Sequence, residues 1–172
     1  MASQEEIRDV RIQKMQKLKE LGMEAYPSQV LRDFSLAEAK SNFEVLEKDG
    51  SARSVAGRAM AIRGQGAILF VVLYDGTEQL QVVLKKDVLG EDLFGQFVDL
   101  ADIGDFMSFT GTFFVTQRGE KSVLAQSWTI ASKSLLPLPK KWHGLVDVDE
   151  RYRKRYLDIL VEKKKKKTLE LK

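Results

Sequence analysis

The 172 residues contain no cysteine. That excludes disulfides and thiolate metal sites, and it agrees with a reducing cytoplasm. The single histidine, His143, has no catalytic partners. No uncharged apolar run approaches the ~20 residues that a membrane span needs, and the N-terminus is polar rather than signal-like. Strong charge of one sign is also lacking outside the tail. Lys163 to Lys172 hold six lysines and one glutamate; without them the 28 basic and 25 acidic residues fall to 22 and 24, a net of −2. A near-neutral body excludes whole-molecule attraction to nucleic acid, so any such binding must use a local site.

What is present suits one domain with appendages, by the rough prior of ~100–200 residues per domain. Hydrophobic residues make up 44% of the chain, enough for a core. Residues 3–21 read as a helix, with Ile7, Val10, Met15, Leu18 and Leu21 on one side. Ser3 and Glu6 form a capping box, and Gly22 and Pro27 end the run. Arg8, Arg11, Lys14 and Lys17 wind around this helix and make no clean basic face. A second helix is expected over residues 35–48, opened by Ser35 with Glu38 and closed by Asp49-Gly50. From Ala52 the period becomes that of strands: residues 52–63, 67–74, 79–85, 104–116 and 121–131, separated by turn residues. Residues 87–101 read as a helix after the third strand. Five strands with one helix in that place is the element order of an OB-fold, a small partly open Greek-key barrel. The expected class is therefore mainly β with flanking helices, with an SH3-type barrel as the alternative. The expected division is 1–50 helical extension, 51–134 barrel, 135–161 linker and 162–172 a disordered lysine-rich tail.

Strand parity suggests what the barrel surface does. Leu69, Val71 and Leu73 share one face of the second strand; Leu80, Val82 and Leu84 share one face of the third. These aliphatic sets fill the barrel. Phe70 and Gln81 then face outward on neighbouring strands, as does Arg63 beside inward Ile62. A ring for stacking, an amide with donor and acceptor, and a guanidinium make a base-reading patch. An aromatic in a strand also packs beneath neighbouring elements, so parity alone leaves both readings of Phe70 open.

The segment Trp142-His143-Gly144-Leu145, then Asp147, then Glu150-Arg151-Tyr152-Arg153-Lys154-Arg155-Tyr156-Leu157-Asp158 resembles the linker of bacterial-type class II lysyl-tRNA synthetases. The aspartate and asparagine enzymes share the Arg-Tyr-Leu-Asp core but usually lack the His-Gly-Leu. The resemblance also covers Val55-Ala56-Gly57-Arg58, Phe70, Leu80-Gln81 and the first helix with its exit, in all about residues 7 to 161. It implies an OB-fold that binds the tRNA anticodon. Arg63, Phe70 and Gln81 match the positions that read the central uracil, and Glu120 matches a glutamate reading a neighbouring base.

The resemblance further implies a cytoplasmic location, a lysine tRNA as partner, and a homodimer. After Val161 the family continues into its catalytic motifs, whereas here a lysine run follows. These residues alone are therefore expected to lack aminoacylation activity and to need no cofactor. ATP and magnesium are expected only of a full-length enzyme. The Gly64-Gln65-Gly66 turn joins two strands and is not a phosphate loop. A competing function is general single-strand binding by an OB-fold protein, which has no reason to carry the linker motif. A purely structural or dimerisation fragment, with Phe70 covered, is a third.

Overall fold

Alternating aliphatic strands of this kind can bury one face only by closing on themselves or on another layer. The computed structural model, which describes residues 3–138 and 148–161, shows closure. Strands β1 (Arg53–Gln65), β2 (Ile68–Tyr74), β3 (Gln79–Lys85), β4 (Phe106–Val115) and β5 (Lys121–Ser132) form a closed barrel in the order β1-β2-β3-β5-β4. The pairs are antiparallel except β3 with β5, which is parallel. This is the OB-fold expected from the element order.

The barrel is filled as parity requires. Val71, Leu73, Leu80, Val82 and Leu84 are buried, with Phe109, Phe113, Val123, Ala125 and Ile130 from β4 and β5. Gly111 lies at the irregularity where the β4–β5 register shifts, and a Cβ there would stand 2.0 Å from the Leu124 carbonyl oxygen. Only glycine allows the two strands to come so close.

One expected helix divides at Gly90 (φ 87°) into α4 (Lys86–Leu89) and α5 (Glu91–Leu100). α5 turns Phe94, Phe97 and Leu100 into the core. The Phe97 ring meets Trp128 edge-on at 5.2 Å, and the Trp128 indole donates to the Leu93 carbonyl at 3.0 Å.

The helix expected over residues 35–48 is likewise two: α2 (Leu36–Ser41) and α3 (Phe43–Asp49), broken at Asn42. Asn42 has φ −96° and ψ 13°, and its amide ends the first helix on the Glu38 carbonyl. The Ser35 capping box is present, and left-handed Gly50 closes α3.

The first helix, α1 (Gln4–Glu20), begins at the expected Ser3 capping box. Its buried side differs from the sequence reading. Leu18 is buried and Met15 packs on the core as expected, but Val10 and Leu21 are half exposed and Arg11 is buried in their stead. Arg11, one of the basic residues that wind around this helix, is an anchor. Its guanidinium donates to the carbonyls of Ser134 (2.8 Å), Leu136 (3.0 Å) and Ile103 (3.1 Å). Lys14 pairs with Asp102 at 2.9 Å, and buried Lys133 donates to Asp102, to Asp105 and to the Leu100 carbonyl. Burial would raise the Asp102 carboxyl, but hydrogen bonds and charge from Lys133 and Lys14 outweigh it and hold its pKa below the ordinary aspartate value. Three chain segments distant in sequence are thus tied at one end of the barrel.

Residues 1–136 form one compact unit, in which Leu18, Leu36, Phe43 and Leu46 join the barrel core. The described residues from 137 onward belong to a second. There α6 (Val148–Arg153) and α7 (Arg155–Val161) follow each other closely, and Tyr152 and Tyr156 are exposed. His143, Trp142 and the lysine run fall outside the described residues. Among the described residues, no helix is long and apolar enough to cross a membrane, and no group of His, Asp or Glu could hold a metal ion.

Candidate nucleic-acid interface

The ladders bring three sequence-selected residues onto one outer surface. Arg63 on β1 stands directly opposite Phe70 on β2. Phe70 in turn faces Val83 on β3, and Val72, two residues along on the same side, faces Gln81. Directly paired residues point to the same side of a sheet, so Arg63, Phe70 and Gln81 share a face.

Phe70 is 36% exposed and Ile68, also on that face, 40%. The ring is therefore not part of the barrel filling, and the reading in which it is covered by another element does not hold. Val83 departs from simple alternation. It is buried although it lies on the outer side, flanked by Phe70 and by Leu124 in the two ladders. The surface therefore has an apolar floor beneath an exposed ring. Arg63 is exposed, and its guanidinium has no hydrogen bond or ion pair among the described residues.

Gln81 is half-buried and donates from Nε2 to Ser122 Oγ at 2.9 Å. Ser122 is fully buried and donates in turn to the Glu120 carbonyl at 3.1 Å. Glu120 belongs to the turn between β4 and β5, where its amide donates to Thr116 Oγ1 and its carbonyl accepts from the Thr116 amide, both at 3.0 Å. Its side chain is exposed. All four sequence-selected residues thus connect through ladder pairs or this hydrogen-bonded chain. Ser122 was missed. The strand order of an OB-fold sets β3 beside β5, but the register that puts residue 122 against residue 81 is not written in either strand.

A cavity of about 490 Å³ lies elsewhere, between residues 22–31 and the hydroxyl-rich outer side of β4 and β5. None of Arg63, Phe70, Gln81 or Glu120 lines it. An exposed ring, an amide, a guanidinium and a carboxylate can stack on, hydrogen-bond to and counter the charge of a single-stranded nucleotide.

Residues 54–131, almost the whole barrel, match the family model for a tRNA anti-codon, OB-fold nucleic acid binding domain. The barrel is similar to this anticodon family. Beyond the OB-fold domain, the chain is similar to proteins named lysine–tRNA ligase. It is 43% identical over 164 residues to that of Listeria monocytogenes, covering 91% of this chain and 33% of the relative. It is 44% identical over 161 residues to that of Synechococcus sp. strain RCC307, covering 91% and 32%. With the Prochlorococcus marinus MIT 9313 protein it shares 42% over 175 residues, 95% of this chain and 34% of the relative. The chain spans about a third of the length of these curated relatives.

Proposed function

We propose that this OB-fold domain binds the anticodon arm of a lysine tRNA, as the anticodon-binding part of a lysine–tRNA ligase that works in protein synthesis in the cytoplasm. The supporting observation is the shared outer face of Arg63, Phe70 and Gln81, joined to Glu120 through Ser122. Phe70 stacks on the central uracil, Gln81 reads its edge, Arg63 stacks or neutralises a phosphate, and Glu120 meets a neighbouring base. Residues 51–134 carry the reading, 1–50 brace the barrel, and 135–161 lead toward a catalytic part that supplies the ATP and magnesium chemistry within a homodimer. The test is a titration with lysine tRNA against a tRNA altered only in its anticodon. Tighter binding to the lysine anticodon is expected; equal affinity would favour general single-strand binding instead.

A further inference from the structure

A glutamine that reads a base has an ambiguity built into it: the amide can turn over and exchange donor for acceptor. We infer that Ser122 removes this ambiguity, acting as a positioning residue that locks the Gln81 amide with its carbonyl oxygen toward the ligand, so that the face selects a base with an N–H at its pairing edge. The inference rests on the reading that Gln81 faces a base.

A serine hydroxyl has one proton. Ser122 gives that proton to the Glu120 carbonyl, which can only accept. Its oxygen is then left to accept, and it accepts from Gln81 Nε2. The amide nitrogen must therefore face Ser122, and Oε1 must turn away from it. The lock is itself held, since the Glu120 carbonyl is fixed by the Thr116 amide and the turn is closed by Gly119 donating to the Thr116 carbonyl at 2.8 Å. Ser122 is fully buried, so water does not compete for its hydroxyl. No other hydrogen bond engages Gln81 among the described residues, which leaves Oε1 and one N–H for a ligand.

Uracil presents a donor, N3–H, where cytosine presents the lone pair of N3. A freely turning amide could match either. A locked one places Oε1 against N3–H in uracil and against a lone pair in cytosine.

The test uses the full chain and two anticodon stem-loops that differ only in a central uracil or cytosine. Ser122→Ala is expected to lower the uracil-to-cytosine affinity ratio by roughly five- to tenfold, the range of one lost hydrogen bond. Gln81→Ala should lower it similarly, and the double variant should go no lower than Gln81→Ala. A folded Ser122→Ala protein that keeps the wild-type ratio overturns the inference. So does a Ser122→Ala effect that persists undiminished in the Gln81→Ala background. Should Ser122→Ala not fold, the near-isosteric pair Ser122→Thr and Ser122→Val replaces it: threonine should keep the ratio and valine lose it, and equal ratios count against the lock. Side-chain amide NMR of Gln81 without RNA separates the two levels. One Nε2 proton should be protected in the wild type and released in Ser122→Ala. If that holds while the wild type does not distinguish the two stem-loops, the lock stands as geometry but the base-reading proposal fails, and the selectivity inference fails with it.

Discussion

Phe70 keeps 36% of its surface in solvent where Phe97 keeps 1%, so truncating the two rings should have opposite consequences. Phe70→Ala should weaken binding to a lysine anticodon stem-loop by ~1–3 kcal/mol, the usual effect of removing a stacking partner. Its effect on unfolding should be well below the ~3–5 kcal/mol typical of a core phenylalanine such as Phe97. Stem-loop titrations and urea melts on Phe70→Ala and Phe97→Ala check both halves. A Phe70→Ala protein that unfolds readily yet binds normally when folded would remove the ring from the interface. Gln81→Ala should lose less affinity but more base preference, because a reading amide contributes discrimination rather than area. Parity made Phe70 and Gln81 legible from sequence, since period-two alternation fixes which side a residue takes once the aliphatic set is assigned to the interior. Ser122 was not legible, because its role depends on lateral register between strands 41 residues apart.

Among the elements, the strands were readable to within about two residues and the helices less so. The breaks at Asn42 and Gly90 interrupt patterns whose apolar periodicity runs straight through them. The anchoring roles of Arg11 and Lys133 were not legible in the sequence, for a common reason. A cation is assigned to solvent unless its partners are known, and theirs are backbone carbonyls and carboxylates far away in the chain. Their cluster gives the fold a pH dependence of definite sign. The Asp102 pKa is lowered in the folded state, so its stabilisation is complete above the ordinary aspartate value of 3.8 and is lost as pH falls below it. Asp102→Asn should destabilise the protein by about 1–3 kcal/mol at pH 7 and flatten the acid limb. Urea midpoints at pH 7 and pH 3 measure this; an unchanged difference between the two pH values would show that the acid sensitivity arises elsewhere. In the barrel wall, Gly111→Ala should cost about 2 kcal/mol or more, because the new methyl meets backbone rather than a side chain that can move. A melting temperature within a degree of wild type would contradict that.

For the molecule as a whole, the charge is divided between a body of net −2 and a tail of six lysines. Removing the tail from Glu162 onward should weaken RNA binding about equally for every anticodon and make it less salt-sensitive, since lysines act on phosphates and carry no base information. Binding isotherms at two salt concentrations would show this; altered anticodon preference after truncation would mean the tail does more than supply charge. The 172 residues alone are expected to give no lysine-dependent pyrophosphate exchange above background. The Arg11 anchor also sets an order of events in time. Its acceptors at Ser134 and Leu136 lie 123 and 125 residues further along. On the ribosome, α1 emerges before the barrel, yet two of the three carbonyls that Arg11 donates to are made only after the last strand, Ile103 alone coming earlier. The full Arg11 anchor is therefore completed only once the whole barrel has been made. Its completion serves as the final clasp, and a chain halted before residue 134 leaves Arg11 with the Ile103 carbonyl alone of its three acceptors.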